Sequence, residues 1–305
     1  MTADNNEKYI VRKPIYETGN AVKNRQGPLM TYISGKQIPG ADYYVQMRWI
    51  KGMPQPNPRI HEHVHDFDEI ILYWGGNYEV PQVLGGEIEC YIGGQPITFN
   101  TTTGIYIPKG TPHGPVTWKK FDFPHLQINI MLGCGNREEA WGKSGIYVPK
   151  NNLPRKTKKF DYEQYVVRSP MREAGGKFKQ GRQSPTMTHI SGVQIPGVKV
   201  YIEAGWIWGV VDHSLPEMSH PNFEEIVLHF GSDPENPEDL GAEMDFNIGG
   251  EPKTFTSTFG VFLPKGVVHG PLTFKEARKP YVEMAIMLGA GNVKEGWQGS
   301  WRNRE

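Results

Sequence analysis

The chain has 305 residues, 33 of them basic and 33 acidic, so its formal net charge is zero. That length supports two domains with proper cores, and balanced charge excludes the basic excess that recruits nucleic acid or an anionic membrane surface. Two cysteines, Cys90 and Cys134, do not make a disulfide framework.

In chain order, Met1–Glu7 has no apolar core and predicts no signal peptide. No later stretch is long and apolar enough to cross a bilayer, so a soluble cytoplasmic protein is expected. Arg59-Ile60-His61-Glu62-His63-Val64-His65, read as a strand, puts residues 59, 61, 63 and 65 on one face. Glu69–Trp74 is a short apolar run stopped by Gly75-Gly76, as in a buried strand. Glu87–Ile92 alternates and breaks at Gly93-Gly94, a turn pair suited to positive φ. Ile97–Phe99, Gly104–Ile107 and Leu126–Ile130 are further short strands. On the last, His125, Gln127 and Asn129 alternate, which suits either a barrel interior or a solvated face. Trp49, Trp74, Trp206 and Trp208 are assigned to core or inter-domain contacts. Helix is expected only near the repeat ends, where Asn136 and Asn292 can cap turns carrying Glu139 and Glu295. The run Pro154–Lys159 reads as solvated linker. Gly133-Cys134-Gly135 lacks the third glycine of a dinucleotide loop.

The chain is written twice. Met30–Gly40 returns from Met187 to Gly197, Ile107–Pro115 from Leu263 to Pro271, and Met131–Asn136 from Met287 to Asn292, at a shift of 156 or 157 residues. Periodicity of this kind is the signature of repeated units. It divides the chain into a domain at 1–142, a linker at 143–162 and a domain at 163–305. Turn signals every eight to twelve residues predict an all-β sandwich or barrel for each.

Three imidazoles on one strand face, with Glu69 following, are hard to explain as packing. Neutral imidazole and carboxylate are donors that divalent Fe, Mn, Ni, Cu or Zn prefer. The motifs resemble those of cupins, whose pattern is His-x-His, three or four residues, Glu, six residues, Gly, and later Pro-x-Gly-x-x-His. Here they read His63-Val64-His65, Glu69, Gly76, then Pro108-Lys109-Gly110-Thr111-Pro112-His113. The family's usual Asn four residues after the last His is Thr117 here. The resemblance implies two tandem cupin (double-stranded β-helix, jelly-roll) barrels, hence a bicupin, with a metal held by His63, His65, Glu69 and His113. A register slipped by one pair would instead join His61 to His63. In the second repeat only His220, Glu225 and His269 fall at cupin spacing, with Met218 where the other strand histidine belongs. Two readings of that half stay open: a second metal with open coordination positions, or a decayed site in a supporting domain.

Three His and one Glu leave two positions on a six-coordinate ion for a small-molecule substrate. The leading expectation is a dioxygenase-type oxidoreductase acting on a small oxygenated acid, aromatic acids included, or an enolisable carbonyl compound. The alternatives are a non-oxidative lyase, isomerase or C–C hydrolase, and a non-catalytic binding cupin. Arg59 is the candidate for holding a substrate carboxylate, unless it is only a charge on the barrel rim. His61 is the candidate for proton transfer. Whether the chain is a monomer or a homo-oligomer is left open.

Overall fold

The computed structural model describes residues 6–19, 21–141, 160–174, 180–211 and 216–297. The expected linker, including Pro154–Lys159, lies mostly outside these residues. The regular structure among the described residues is nearly all strand, and the only two α-helices there are single turns, Arg137–Trp141 and Val293–Trp297. Among the described residues no helix is long and apolar enough to cross a membrane.

The first compact unit runs from Ile15 to Ser169. Its large sheet orders the strands Val166–Val167, Thr103–Ile107, Asp68–Gly75, His125–Leu132, Tyr43–Gln55, Leu29–Ile33 and Ile15–Thr18. A three-stranded sheet, His113–Phe121, Val83–Ile92 and Gln95–Thr101, belongs to the same unit, and all pairings are antiparallel. On Val83–Ile92 the alternation read in the sequence is a one-sided sheet. Ile88, Cys90 and Ile92 are buried, while Glu87, Glu89 and Tyr91 are half-buried, and Lys119 pairs with Glu89 at 2.9 Å. The inward residues pack with Phe99 and Trp118 against Ile71, Tyr73 and Ile105 of the large sheet. Asp68–Gly75 is buried on both faces beyond its first residue, which explains its unbroken apolar run.

The second unit repeats this plan. Its seven-stranded sheet is Ile10–Val11, Phe259–Leu263, Glu224–Gly231, Tyr281–Leu288, Val200–Ile207, Thr186–Ile190 and Met171–Ala174. Its three-stranded sheet is Glu251–Ser257, Asp239–Ile248 and His269–Ala277.

The units do not break where the repeats do. Described residues up to Pro14 group with those from Pro170 onward, because Ile10 and Val11 pair with Val261 and Gly260. Correspondingly, Val166 and Val167 pair with Ile105 and Gly104. Each short strand is the edge of the sheet that it completes, and covering an edge is a strong reason for a two-residue strand to dock.

The repeat-end helices are capped as expected. The Glu139 amide donates to Asn136 Oδ1 at 3.0 Å and the Gly135 amide to Glu139 Oε2 at 2.9 Å. Asn292 and Glu295 repeat the arrangement at 2.9 and 2.7 Å. Trp49, Trp74 and Trp206 are core, but Trp208 is 40% exposed.

Candidate metal centre

Glu69 is the second residue of the strand Asp68–Gly75, paired on one side with Ile107 and on the other with Met131. His63 and His113 are joined by reciprocal backbone hydrogen bonds, each 2.9 Å. The turn that aims His113 is anchored twice. The Gly110 amide donates to the His65 carbonyl at 2.8 Å, and the Lys109 amide to Asp68 Oδ1 at 2.8 Å. Gly114, at φ 88°, is required for close approach, since a Cβ there would lie 2.8 Å from the His61 carbonyl oxygen.

The structure brings together His63, His65, Glu69 and His113, all buried, with one donor atom of each within 4.8 Å of all the others. Nδ1–H of His63 donates to the His61 carbonyl at 2.8 Å, and that of His113 to the Thr111 carbonyl at 3.0 Å. Those bonds fix the tautomer and leave each Nε2 lone pair facing inward. Glu69 Oε2 lies 3.0 Å from His113 Nε2 and 3.7 Å from His65 Nε2. Glu69 Oε2, His65 Nε2 and His113 Nε2 are buried without a hydrogen-bond partner. Two acceptors facing one another at 3.0 Å in a buried site need a proton or a metal cation between them. An ion with bonds of about 2.1 Å holds neighbouring donors about 3 Å apart, so the donor set fits a divalent transition metal.

The protonation states agree. Burial, with His113 adding to it, lowers His63 to about 3, keeping its imidazole neutral. Burial works to raise Glu69, but the adjacent His113, His65 and His63 overcome it and bring the carboxyl down to about 2. Neutral imidazole and ionised carboxylate are the forms that bind a metal. Asn129 Nδ2 donates to Glu69 Oε1 at 2.7 Å and so holds the carboxylate with its other oxygen toward the histidines.

Burial of His125, Gln127 and Asn129 excludes a solvated face, and Gln127 and Asn129 line the cavity beside the donor group. His125 accepts from Trp118 Nε1 at 3.0 Å, while Asn129 serves the site. The extended reading of residues 59–65 is corrected. Only isolated bridges occur there, Arg59 to Val116 and His63 to His113, and Ile60 has φ 60°. A left-handed residue re-aims the chain, so the alternation that linked 61 to 63 and 65 does not hold. His61 is exposed and contributes its carbonyl to His63; its imidazole is not in the donor group. The partner of His63 is therefore His65. Arg59 is half-buried, with its Nε inside and without a hydrogen-bond partner.

In the second unit His220, Glu225 and His269 form a buried group. Glu225 Oε2 lies 3.2 Å from His220 Nε2 and 3.1 Å from His269 Nε2. Burial tends to raise Glu225, but His220 and His269 bring it to about 2. His269 Nδ1–H donates to the Val267 carbonyl at 3.0 Å. Met218 bridges His269 as His63 bridges His113, and His220 stacks on Phe223 as His65 stacks on Phe67. Thus His220 is the counterpart of His65, and Met218 takes the place of His63.

No family model matches the sequence, and no curated protein matches it. Solved structures do match in fold. A hazelnut (Corylus avellana) vicilin aligns at TM-score 0.59 and 8% identity, covering 94% of this chain and 90% of that one. The Lactobacillus farciminis oxalate decarboxylase formate complex aligns at 0.54 and 11%, covering 92% and 90%. A Bacillus subtilis oxalate decarboxylase structure, described for its Mn(II) centres, aligns at 0.52 and 11%, covering 91% and 80%. With two barrels of one plan, each carrying a His/Glu group at its motif positions, the chain has the fold of a bicupin, two cupin domains in one polypeptide.

Proposed function

We propose that the first barrel is a metal-dependent catalytic centre for a small oxygenated acid, of the dioxygenase kind. The observation that carries this reading is the inward convergence of His65 Nε2, His113 Nε2 and Glu69 Oε2, buried and without hydrogen-bond partners. A bound divalent ion there supplies Lewis acidity and, if redox-active, electrons for oxygen chemistry. The chain's own residues do the rest. His63, His65, Glu69 and His113 hold the ion, Asn129 orients Glu69, and the apolar side chains Ile71, Ile92, Ile105 and Ile107 line the cavity beside it and exclude water. Arg59 is the substrate-carboxylate candidate from the rim. Exposed His61 stays the candidate for proton transfer, since a solvent-facing imidazole can pass a proton.

A non-oxidative reading, with the ion polarising a carbonyl or carboxylate, is favoured by the oxalate decarboxylases among the fold neighbours. The separating experiment is elemental analysis of protein purified without added metal, followed by oxygen uptake against catechols, diketones and hydroxy acids. Iron or copper with substrate-dependent uptake is expected. Zinc without uptake overturns the oxidative reading, and full turnover by His113→Ala overturns the site.

A further inference from the structure

The donor group of the first barrel is shut away from solvent. His63, the most exposed of its four residues, is 8% exposed. The cavity bounded by His63, Glu69 and His113 has a volume of about 20 Å³, room for about one water. An ion, or any ligand larger than water, therefore reaches the donors only when part of the wall moves. Every residue lining the cavity is buried except Ile60, Tyr91 and Trp141, which are half-buried. The way in lies past one of these three.

Two of them are built into the barrel. Tyr91 stands between inward Cys90 and Ile92 on the strand Val83–Ile92, so its side chain points away from the interior. Its neighbours are paired on both sides, Cys90 with Val116 and Ile97, Ile92 with His113 and Gln95. Ile60 is flanked by two bridges. Arg59 and Val116 exchange backbone hydrogen bonds of 2.7 and 2.8 Å, and His63 and His113 exchange theirs at 2.9 Å.

Trp141 is tethered far less. It ends the single-turn helix Arg137–Trp141, which is too short to be stable by itself. Its ring centroid lies 6.0 Å from that of His63 and 5.9 Å from that of His65, and the ring packs, half-buried, against the cluster of Tyr44, Phe67, Met131, Cys134 and Ala140. Its side chain is held by one hydrogen bond, from Nε1–H to Gln46 Oε1 at 2.9 Å. Gln46 is set for that bond. Its Nε2 faces the hydroxyls of Thr31 at 2.9 Å, Tyr44 at 3.1 Å and Thr18, which leaves the amide oxygen for the indole. The second barrel repeats the arrangement, with Trp297 bonded to Glu203 and its ring 6.3 Å from that of His220.

We infer that Trp141 is the gate of the first metal centre and Gln46 its latch. With the indole bonded to Gln46 the cavity is shut; when that bond breaks, the indole swings aside and admits the ion and its ligands. Breaking one neutral hydrogen bond changes an opening equilibrium about five- to tenfold, within reach of the loop and lid motions that set access in other proteins. Control of substrate entry by the same indole rests on the proposed catalytic reading. Control of the ion rests on the metal centre alone, and the test is made there.

A gate alters how fast an ion passes and not how tightly it is held, because opening precedes both entry and exit. Cobalt(II) is followed by stopped-flow absorbance onto chelator-treated full-length chain, and off the loaded chain into excess chelator. All measurements use a His220→Ala background, which silences the second donor group. The variants are Trp141→Phe, Trp141→Ala, Gln46→Ala and, for the rival route, Ile60→Ala, with circular dichroism checking each fold. Gln46→Ala and Trp141→Phe, which lose the latch bond, should raise both rates about five- to tenfold. Trp141→Ala, which removes the wall, should raise them further, and the dissociation constant should stay unchanged throughout. Rates unaltered in folded Gln46→Ala and Trp141→Phe overturn the gate. So does faster exit alone with weaker binding, which makes Trp141 a prop for the histidines, and so does Ile60→Ala if it speeds both rates as much. No cobalt uptake before any gate substitution overturns the metal centre and the gate with it, whereas failure of the gate in cobalt-loaded protein leaves the metal and oxygen-uptake readings standing.

Discussion

Glu203 offers the sharpest quantitative test of the second barrel. It occupies the position of Gln46, and each accepts an indole N–H from the repeat-end helix, Trp297 to Glu203 at 3.1 Å and Trp141 to Gln46 at 2.9 Å. Tyr201 also donates to Glu203, at 3.0 Å. Burial dominates these bonds and raises the carboxyl from its ordinary 4.5 to about 7. A raised folded value means that the folded state binds the proton more tightly, so the contribution is intact below pH 4.5 and is lost as pH rises to 7. At about 1.4 kcal/mol per pH unit the loss is about 3 kcal/mol. The buried histidines slope the other way. His63 and His189 lie at about 3, and His125 and His229 at about 4, all lowered chiefly by burial, so they destabilise the fold as pH falls below their unfolded 6.5. The two effects separate in a difference curve. Wild type and Glu203→Gln, both stripped of metal, are unfolded in urea from pH 4 to 8. The stability difference should be flat below pH 4.5, grow in favour of Glu203→Gln by about 3 kcal/mol by pH 7, and level off. A flat difference across the whole range would refute the reasoning.

Two further outcomes follow from the donor groups. Asn129→Ala frees Glu69 to rotate and should weaken metal binding in the first barrel about ten- to a hundredfold, read by competition with a chromogenic chelator while circular dichroism stays unchanged. Met218→His restores the histidine that the first barrel has at the same bridge and should raise the metal content of the purified protein by up to one ion per chain; an unchanged content would show that Met218 does not stand in a ligand position.

What the sequence made legible was local. His63, His65 and Glu69 are fixed within seven residues, and His113 by a turn whose anchors, Lys109 and Gly110, lie within four residues of it. Asn136 with Glu139 is likewise a short-range cap. The placement of Arg59 and His61 failed because one residue, Ile60, leaves the extended region, and nothing in its β-branched side chain announces that. The unit boundaries were hidden for a different reason. Tyr9-Ile10-Val11-Arg12 and Tyr165-Val166-Val167-Arg168 are near copies that make the same local contacts, down to the Arg12–Glu7 and Arg168–Glu163 pairs. Either segment suits either edge strand, so composition and spacing cannot say which sheet it joins. Buried Arg25 and Arg48 carried no motif at all; the alternation of Gln46 and Arg48 with apolar neighbours was the one available signal, and only register turns it into an inward charge.

That register also bears on whether the second barrel has lost its ion. Losing the His63 equivalent removes one neutral donor, but the inward face has changed charge as well. Gln46 and Gln127 in the first barrel correspond to Glu203 and Glu283 in the second, and Arg48 corresponds to Gly205. The second interior therefore trades a positive group and two amides for two carboxyls, a field of the sign that retains a divalent cation near Glu225. A cation held there would in turn favour ionised Glu203, drawing its pKa down from about 7. Adding metal to the stripped protein should then flatten the pH-dependent difference between wild type and Glu203→Gln. The same slope with and without metal would mean that no ion occupies His220, Glu225 and His269.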